Sequence, residues 1–218
     1  MFEEEAVRVR ELLLEAGVEH VSPLLNVGSS TAAFRTLDKP HIEAELFAPL
    51  RESGVTVCHL DRKADDGVDI VGDILDAALR EELASRGFRC LLLSNVLEHV
   101  RDRSALAAAC EQIVGAGGII LATVPSSFPY HADPIDTFYR PSPGELAALF
   151  RHSDLRQGET VTGRTYRDAI ASLPRELART ALAALTAIAW PRSFLSRVHR
   201  WLWYRRPYRV SVALVAVR

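Results

Sequence analysis

The stretch FRCLLLSNVLEHV, residues 88–100, begins as a strongly apolar strand, interrupted only by Arg89, and turns polar at Ser94. A short apolar run of this kind is typical of a strand that is buried on both faces, as in a parallel sheet covered by helices. Helical periodicity flanks it. Residues 77–87 and 104–118 predict helices, the second with Ser104 as its N-cap and glycines at its end. The stretch therefore predicts the centre of an α/β fold.

The same alternation of strands and helices continues in both directions along the chain. Further strands are predicted at residues 24–27, 55–61, 119–125, 155–163 and 208–218, and residues 68–75 predict a short strand that runs into a loop. Further helices are predicted at residues 3–16, 41–53 and 142–150. Because crossover connections between parallel strands are right-handed, this order favours a doubly wound sheet with helices on both faces.

Several predicted strands end in polar residues, where ligands bind in a doubly wound sheet. These ends are Gly28-Ser29-Ser30, Asp61, Asp73, Ser94-Asn95 and the residues from Pro125 onward. Because these ends meet at one edge of a parallel sheet, the sequence predicts a ligand site there.

The first of these ends leaves two interpretations open. Gly28 lets the backbone approach a ligand closely, but the stretch LLNVGSSTAAF lacks the GxGxxG pattern of dinucleotide-binding loops, and Pro40 interrupts any helix starting at Thr31. The loop is therefore either a divergent nucleotide loop or a polar turn. Asp61 likewise can accept both hydroxyls of a ribose or act as a solvated or capping residue.

Composition and charge narrow the class of protein. The chain has 218 residues, a net charge of −2 and three cysteines without a CxxC pair, which predicts reduced thiols in a cytoplasmic protein. Residues 1–150 carry 13 basic and 24 acidic side chains, whereas residues 151–218 carry 13 basic and 4 acidic ones. The basic end either contacts something anionic or folds back onto the acidic part of the chain.

The loop FPYHADPIDTFYRP, residues 128–141, is long and rich in proline and aromatic residues, which is typical of a functional loop. His131 with Asp133 and Asp136 gives too few ligands for a metal site, so no metal is predicted. Arg140 is expected to pair with Asp136 as a structural clamp. His99, after the central strand, can act as a base or support the loop structurally.

Over residues 20–150 the order of these segments resembles the class I S-adenosylmethionine-dependent methyltransferases that act on small molecules. LLNVGSS is similar to their first motif, HLD to the ribose-binding acid and VGDIL to the adenine-side loop. SNVLEHV and GAGGIILATVP are similar to the loop after the fourth strand and the hinge before the fifth. YHADPIDTFYRPSPGEL is similar to a loop found in a subset of the family.

The resemblance implies a Rossmann-like, mostly parallel seven-stranded sheet in a single domain, residues 1–218, whose last two strands are antiparallel and enclose a helical insertion at 164–207. It implies S-adenosylmethionine as cofactor and S-adenosylhomocysteine as product. The cofactor-binding residues would be Asn26, Gly28, Ser29, Ser30, Asp61, Asp73, Ile74, Asn95, Val96 and Leu97. The substrate residues would be Tyr130, Asp136, Tyr139 and Arg140, with His131 and then His99 as candidate bases.

The implied activity is methyl transfer to an oxygen or nitrogen of a small-molecule or lipid- or sugar-linked acceptor. Asn26 stands where the family has an acid, and only Gly28 remains of its three glycines. A non-catalytic relative with weakened cofactor binding therefore stays open. So does another nucleotide-dependent enzyme, such as a nicotinamide oxidoreductase, although the missing GxGxxG argues against it.

The insertion ends in PRSFLSRVHRWLWYRRPYR, where arginines alternate with Trp201 and Trp203. Residues 175–209 can contact the surface of the inner membrane, close over a substrate as a lid, or pack on the sheet. The longest uncharged run here, Thr180 to Trp190, is too short to span a bilayer. No nucleic-acid partner is expected, because no known binding module is visible.

Overall fold

Seven strands form one sheet in the computed structural model, which describes residues 1–130, 135–165, 167, 203 and 205–218. The strands are β1 Leu24–Val27, β2 Val57–Asp61, β3 Ile70–Val71, β4 Cys90–Ser94, β5 Ile119–Ser127, β6 Ser153–Thr165 and β7 Pro207–Val217. Their order across the sheet is β3-β2-β1-β4-β5-β7-β6. Strands β1 to β5 are parallel, and β7 is antiparallel to both β5 and β6. The predicted fold class is confirmed.

Helices cover both faces of the sheet. They are α1 Glu3–Ala16, α2 Val18–Val21, α3 Pro40–Ile42, α4 Ala48–Glu52, α5 Ala77–Ser85, α6 Arg103–Val114 and α7 Pro143–Ala147. A π-helical turn, Phe34–Asp38, precedes α3, and a second, Glu43–Phe47, joins α3 to α4, so that residues 34–52 form one bent segment. A 3₁₀ turn spans Leu97–His99. None of the helices among the described residues is long and apolar enough to cross a membrane.

Strand side chains alternate between two apolar layers. In β4, Leu91 and Leu93 pack on the face covered by α5 and α6, whereas Cys90 and Leu92 pack on the face covered by α1 and the bent segment. All four side chains are fully buried. This explains why the central stretch is apolar at every position: each of its residues belongs to one of the two cores. The three cysteines are free thiols, as predicted.

One predicted helix cap was wrong. Helix α6 is capped by Asp102, whose carboxylate accepts a hydrogen bond from the Ala105 N–H, and not by Ser104, which lies inside the helix. The short strand predicted within 68–75, running into a loop, is confirmed as Ile70–Val71 with a turn after Asp73. The capping box predicted for the helix at 142–150, between Ser142 and Glu145, is present at α7.

The insertion is shorter than the predicted range 164–207. Strand β6 continues to Thr165 and β7 begins at Pro207, and these two residues are paired in register. The helices predicted within the insertion lie outside the described residues, as does most of the segment 175–209 proposed to contact a membrane.

The described part of the basic end folds back onto the acidic first helix. Arg164 on β6 pairs with Glu3 and with Glu4, and Arg8 on α1 lies 2.6 Å from Glu159 of β6. Arg164 therefore brings positive charge to the acidic N-terminal turn of α1, in line with one of the two interpretations of the charge split, whereas the Arg8–Glu159 pair has the opposite sense.

Single substitutions at Asp102 and Ser104 distinguish the observed N-cap of α6 from the predicted one. Asp102→Ala is expected to lower the free energy of unfolding by about 1 kcal/mol, because the Ala105 N–H loses its acceptor. Ser104→Ala, two residues later, serves as the matched control and is expected to change it by less than about 0.5 kcal/mol. Urea denaturation of both variants measures this, and a larger loss in the serine variant would contradict the assignment.

Candidate functional site

The loops after β1 and β2 are joined at the carboxyl edge of the sheet. Asp61, the last residue of β2, accepts hydrogen bonds from the Ser30 N–H at 2.8 Å and from the Lys63 N–H at 3.0 Å, one on each carboxylate oxygen. A carboxylate has about four acceptor positions, so each oxygen can accept one more bond. Asp61 can therefore hold its loop and a pair of ligand hydroxyls at once.

The loop after β1 approaches the loop after β4 closely. Gly28 has a φ of +71°, and a Cβ on it would lie 2.6 Å from Cγ2 of Val96. The N–H groups of Gly28 and Ser29 both donate to the Leu60 carbonyl, at 2.9 and 3.0 Å. Because these N–H groups are used within the sheet, the loop does not form a phosphate cradle. This excludes a dinucleotide-type pyrophosphate site at this position.

A buried arginine that the sequence did not reveal holds this loop. Arg35, only 4% exposed, donates to the carbonyl oxygens of Ser29 at 2.9 Å, Ser30 at 2.6 Å and Gly67 at 2.7 Å. Burial lowers the pKa of its guanidinium. The sequence offers one indication of a buried arginine, its place in the otherwise uncharged segment TAAFRTL. The sequence does not indicate its three carbonyl partners.

Asn26, at the position of the family's usual acid, contacts a histidine on the neighbouring strand. Its Nδ2 lies 3.1 Å from Nδ1 of His59, and the two residues are register partners in β1 and β2. Both side chains are buried, and burial lowers the pKa of His59 to about 4. The ring is therefore neutral at pH 7, so Nδ1 can accept the amide hydrogen.

The predicted adenine-side residues follow the edge of the sheet beside Asp61. Asp73 accepts the Leu75 N–H on Oδ1 at 3.0 Å, and its Oδ2 lies 3.6 Å from Nε of the exposed Arg62. Ile74 is buried in the apolar core. Asp73 and Ile74 follow β3, which is next to β2 and, beyond it, β1 in the parallel part of the sheet. They therefore lie at the same carboxyl edge as the loop at Gly28.

The predicted residues after β4 have three different environments. Asn95 donates from Nδ2 to a carboxylate oxygen of Glu5 at 2.8 Å, Val96 packs beside Gly28, and Leu97 is fully buried. Asn95 adopts a φ of +54°, a left-handed conformation that asparagine tolerates better than most residues. This turn lets Asn95 contact Glu5 while Val96 contacts Gly28.

Glu5 on α1 is a second site residue that the sequence reasoning missed. It is fully buried, and its Oε1 accepts hydrogen bonds from the Thr123 hydroxyl at 2.6 Å and from Asn95, while Ser94 Oγ lies at 3.3 Å. Its Oε2 accepts the Phe2 N–H at 3.0 Å. Glu5 shares the buried face of the helix with Val9 and Leu12, so a glutamate in phase with apolar residues was the available signal.

Glu98, in the 3₁₀ turn, is fully buried. Its backbone carbonyl accepts bonds from the N–H and hydroxyl of Thr137, at 3.0 and 2.9 Å. Neither carboxylate oxygen has a hydrogen-bond partner among the described residues. Burial raises the pKa of Glu98 to about 7, and the negative charge of Glu5 acts in the same direction. An unpartnered buried carboxylate is rare in folded proteins.

His99 supports the loop that follows β5. Its Nδ1 lies 2.5 Å from the Ile135 carbonyl oxygen, so Nδ1 carries the hydrogen, and its Nε2 lies 3.8 Å from Oε1 of Glu98. This contact is the structural role considered for His99, and the role of a base stays a prediction. His131 lies outside the described residues.

The predicted substrate residues differ in exposure: Asp136 and Arg140 form an ion pair, Tyr139 packs against the core, and Tyr130 is exposed. Arg140 donates to Asp136 Oδ2 at 2.6 Å, and the carboxylate is fully buried, which confirms the predicted clamp. Tyr139 packs against the core, with the Arg103 guanidinium 4.4 Å from its ring centroid. Tyr130 is 46% exposed and stacks on Phe138 at 4.9 Å. Of the substrate residues, Tyr130 is thus the most accessible to a ligand.

No group of histidine, cysteine and acidic side chains that could hold a metal ion occurs in the described ranges. Asp133, considered with His131 in the sequence, lies outside them.

Comparison with known proteins gives a result at the level of structure. No protein-family model matches the sequence, and no curated protein matches it. A Galdieria sulphuraria protein assigned as a sarcosine dimethylglycine methyltransferase aligns with a TM-score of 0.55 and 13% identity, over 96% of this chain and 84% of that one. A SAM-dependent methyltransferase of Archaeoglobus fulgidus aligns with a TM-score of 0.54 and 12% identity, over 99% and 94%.

A third solved structure is the Burkholderia thailandensis 1,6-didemethyltoxoflavin-N1-methyltransferase with bound S-adenosylhomocysteine. It aligns with a TM-score of 0.52 and 16% identity, over 98% of this chain and 79% of that one. The fold is that of the class I methyltransferases. The resemblance inferred from the sequence is confirmed at this level, and the carboxyl edge described above is the edge at which ligands bind in such sheets.

The methyltransferase-fold loop is expected to depend on Arg35. Arg35→Met removes three charge-assisted hydrogen bonds and is expected to lower the free energy of unfolding by about 3 kcal/mol. Arg62→Met, at a side chain that is 80% exposed in the next loop, is the control and is expected to cost less than about 0.5 kcal/mol. Equal losses in urea denaturation would contradict the clamp.

His59 and Glu98 give opposite pH dependences of stability. The folded pKa of His59 is about 4, below its usual 6.5, so its contribution to stability falls as pH decreases from 6.5 to 4. The folded pKa of Glu98 is about 7, above its usual 4.5, so its contribution falls as pH increases from 4.5 to 7. Each contribution is worth about 3 kcal/mol, and they oppose each other between pH 4.5 and 6.5.

Single variants separate the two contributions. Relative to the unmodified protein, Glu98→Gln is expected to gain stability as pH rises from 4.5 to 7, and His59→Gln is expected to gain stability as pH falls from 6.5 to 4. The free energy of unfolding at half-unit pH intervals measures both. A variant curve parallel to that of the unmodified protein would show that the replaced group does not titrate as described.

Proposed function

We propose that the protein is an S-adenosylmethionine-dependent methyltransferase that moves a methyl group to an oxygen or nitrogen of a small-molecule or lipid- or sugar-linked acceptor. The observation that carries the proposal is the hydrogen bond between the Ser30 N–H and Asp61, 2.8 Å long, at the carboxyl ends of β1 and β2. It joins the glycine loop and the acid that the family resemblance assigns to the cofactor.

The residues at this edge suit the cofactor's chemistry. Asp61 retains acceptor capacity for two ribose hydroxyls, and Asp73 and Ile74 lie one strand further along the edge for the adenine. Gly28 lets the loop after β1 lie directly against Val96 of the loop after β4, since a Cβ on it would lie 2.6 Å from Cγ2 of Val96, and this brings two of the proposed cofactor loops together. The sulfonium of the bound cofactor supplies an electrophilic methyl group, which is the activated part of the reaction.

The chain's own contribution is to position the acceptor and remove its proton where this is needed. His99 is held by the Ile135 carbonyl, and the Asp136–Arg140 clamp fixes the same loop from its other end. We propose this loop as the acceptor side of the site, with Tyr130 at its rim. His131 remains the first proposed base and His99 the second. Acceptors linked to a lipid would suit the aromatic and basic segment 175–209.

Calorimetric titration with S-adenosylhomocysteine and with NADH tests the proposal. Micromolar binding of S-adenosylhomocysteine and none of NADH is expected, and Asp61→Asn is expected to weaken the binding at least tenfold by losing the charge-assisted bonds to the ribose. Asp66→Asn, at an exposed acid in the same loop, is the matched control. No binding to the folded protein would favour the non-catalytic relative instead.

A further inference from the structure

The loop after β5 holds an aromatic side chain in a position that is both exposed and strained. Phe138 is 67% exposed, so its ring gains little free energy from burial. Its φ is +58°, in the left-handed region, which is a genuine outlier for a bulky residue because the Cβ crowds the following carbonyl oxygen. Packing of the folded chain therefore does not account for an aromatic residue at this position.

The same backbone conformation marks two other loops at the carboxyl edge of the sheet. Among the described residues, the other non-glycine residues with positive φ are Ser30, after β1, at +55° and Asn95, after β4, at +54°. Both belong to the proposed cofactor loops, and β5, which precedes Phe138, is the strand next to β4. Because strained residues of this kind cluster at ligand sites, the position of Phe138 indicates a ligand contact on the acceptor side of this edge.

Hydrogen bonds fix the backbone at Phe138 and directly before it. The Phe138 N–H donates to Asp136 Oδ1 at 2.9 Å, and Arg140 holds the other oxygen of that carboxylate at 2.6 Å. Thr137 donates from its N–H and its hydroxyl to the Glu98 carbonyl, at 3.0 and 2.9 Å. The exposed ring is therefore held in place against the turn that follows β4, which carries proposed cofactor residues.

Phe138 and Tyr130 together present a flat aromatic surface. Their ring centroids lie 4.9 Å apart and their planes are inclined by only 17°. Tyr130 is 46% exposed, and Ile135 of the same loop is 45% exposed. Tyr130 covers one face of the Phe138 ring, and the high exposure of Phe138 leaves the other face open to solvent. A further planar ring can extend this stack, whereas an aliphatic group has no flat face to match it.

We infer that Phe138 determines the class of acceptor, by stacking on a planar aromatic ring that bears the oxygen or nitrogen to be methylated. This inference rests on the proposed methyltransferase function and narrows the acceptor to compounds that contain such a ring. Phe138 is a specificity-determining residue and takes no part in proton or methyl transfer. The contact with the ring of the acceptor compensates for the exposure of Phe138 in the free protein.

Ring recognition is tested with 2-naphthol and decahydro-2-naphthol, which share a carbon skeleton and a hydroxyl group and differ in planarity. Each alcohol is titrated into the protein, with and without S-adenosylhomocysteine, and binding is followed by nuclear magnetic resonance. In both titrations 2-naphthol is expected to bind at least about threefold more tightly, as is typical of an aromatic stack.

Three variants assign this preference to the ring of Phe138. Phe138→Leu keeps an apolar side chain without a planar face and is expected to abolish the preference for 2-naphthol. Phe138→Tyr keeps the ring and is expected to retain the preference. Leu155→Ala is the control, at a residue that is 48% exposed and pairs through β7 with the beginning of β5, and it is expected to change neither affinity. A preference that persists in the leucine variant would overturn the inference.

Thermal unfolding of a fourth variant separates a binding role from a structural one. Asparagine tolerates the left-handed conformation, so Phe138→Asn is expected to unfold at the same or a higher temperature than the unmodified protein while losing the preference for 2-naphthol. A lower unfolding temperature would mean that Phe138 is a structural residue.

Two further outcomes would overturn the inference. Equal affinity for the two alcohols would mean that the surface is apolar without selecting a planar ring. If neither alcohol binds, and Phe138→Asn weakens co-sedimentation of the protein with vesicles of phosphatidylcholine and phosphatidylglycerol, the aromatic pair contacts a lipid surface instead. Calorimetric titration with S-adenosylhomocysteine distinguishes these failures from that of the proposed function: retained binding leaves the methyltransferase proposal intact, and absent binding removes it together with the acceptor assignment.

Discussion

The buried carboxylate of Glu5 connects the first helix to the ends of two central strands. Thr123, Ser94 and Asn95 approach one oxygen of Glu5 from β5 and from the end of β4, while the other oxygen accepts the Phe2 N–H. A charge-assisted network of this kind is stronger than isolated neutral bonds because each donor is oriented by the others. The position of α1 over the carboxyl edge, and hence the closure of that side of the site, depends on this network.

Burial of charge on this edge has both stabilising and destabilising consequences. Glu5 and Arg35 are buried with full sets of partners, and they fix two loops that would otherwise be free to vary. Glu98 is buried with no hydrogen bond to its carboxylate from the part of the chain that the structure describes, and its burial opposes folding when it is ionised.

The sequence predicted those features that depend on local pattern. Strand β4 was recognisable because all its residues face one core or the other, and the capping box of α7 was recognisable because its two members are three residues apart. Features that depend on distant contacts were not recognisable. The partner of Glu5 at Thr123 is 118 positions away, and Arg35 binds Gly67 across 32 positions. Periodicity carries no information about such pairs.

The predicted N-cap of α6 was wrong for a different reason. Asp102 and Ser104 are both favourable N-cap residues, and only the backbone conformation decides between them. Asn26 is the converse case. The resemblance assigned it to the cofactor from its place in the motif, whereas the structure gives its amide a partner, His59, on the neighbouring strand β2.

The pairing of Thr165 with Pro207 has a consequence for how this fold can diverge. These residues are opposite each other in an antiparallel ladder, so the chain that leaves β6 returns to the sheet at the adjacent position on β7. A segment whose two ends are neighbours can be lengthened, shortened or exchanged at a small entropic cost, because closing a longer loop adds only about 0.6 kcal/mol per doubling of its length. Insertions of different length and sequence can therefore replace one another between β6 and β7. The edge formed by β1 to β4, on the other side of the sheet, is left unaltered by such a change.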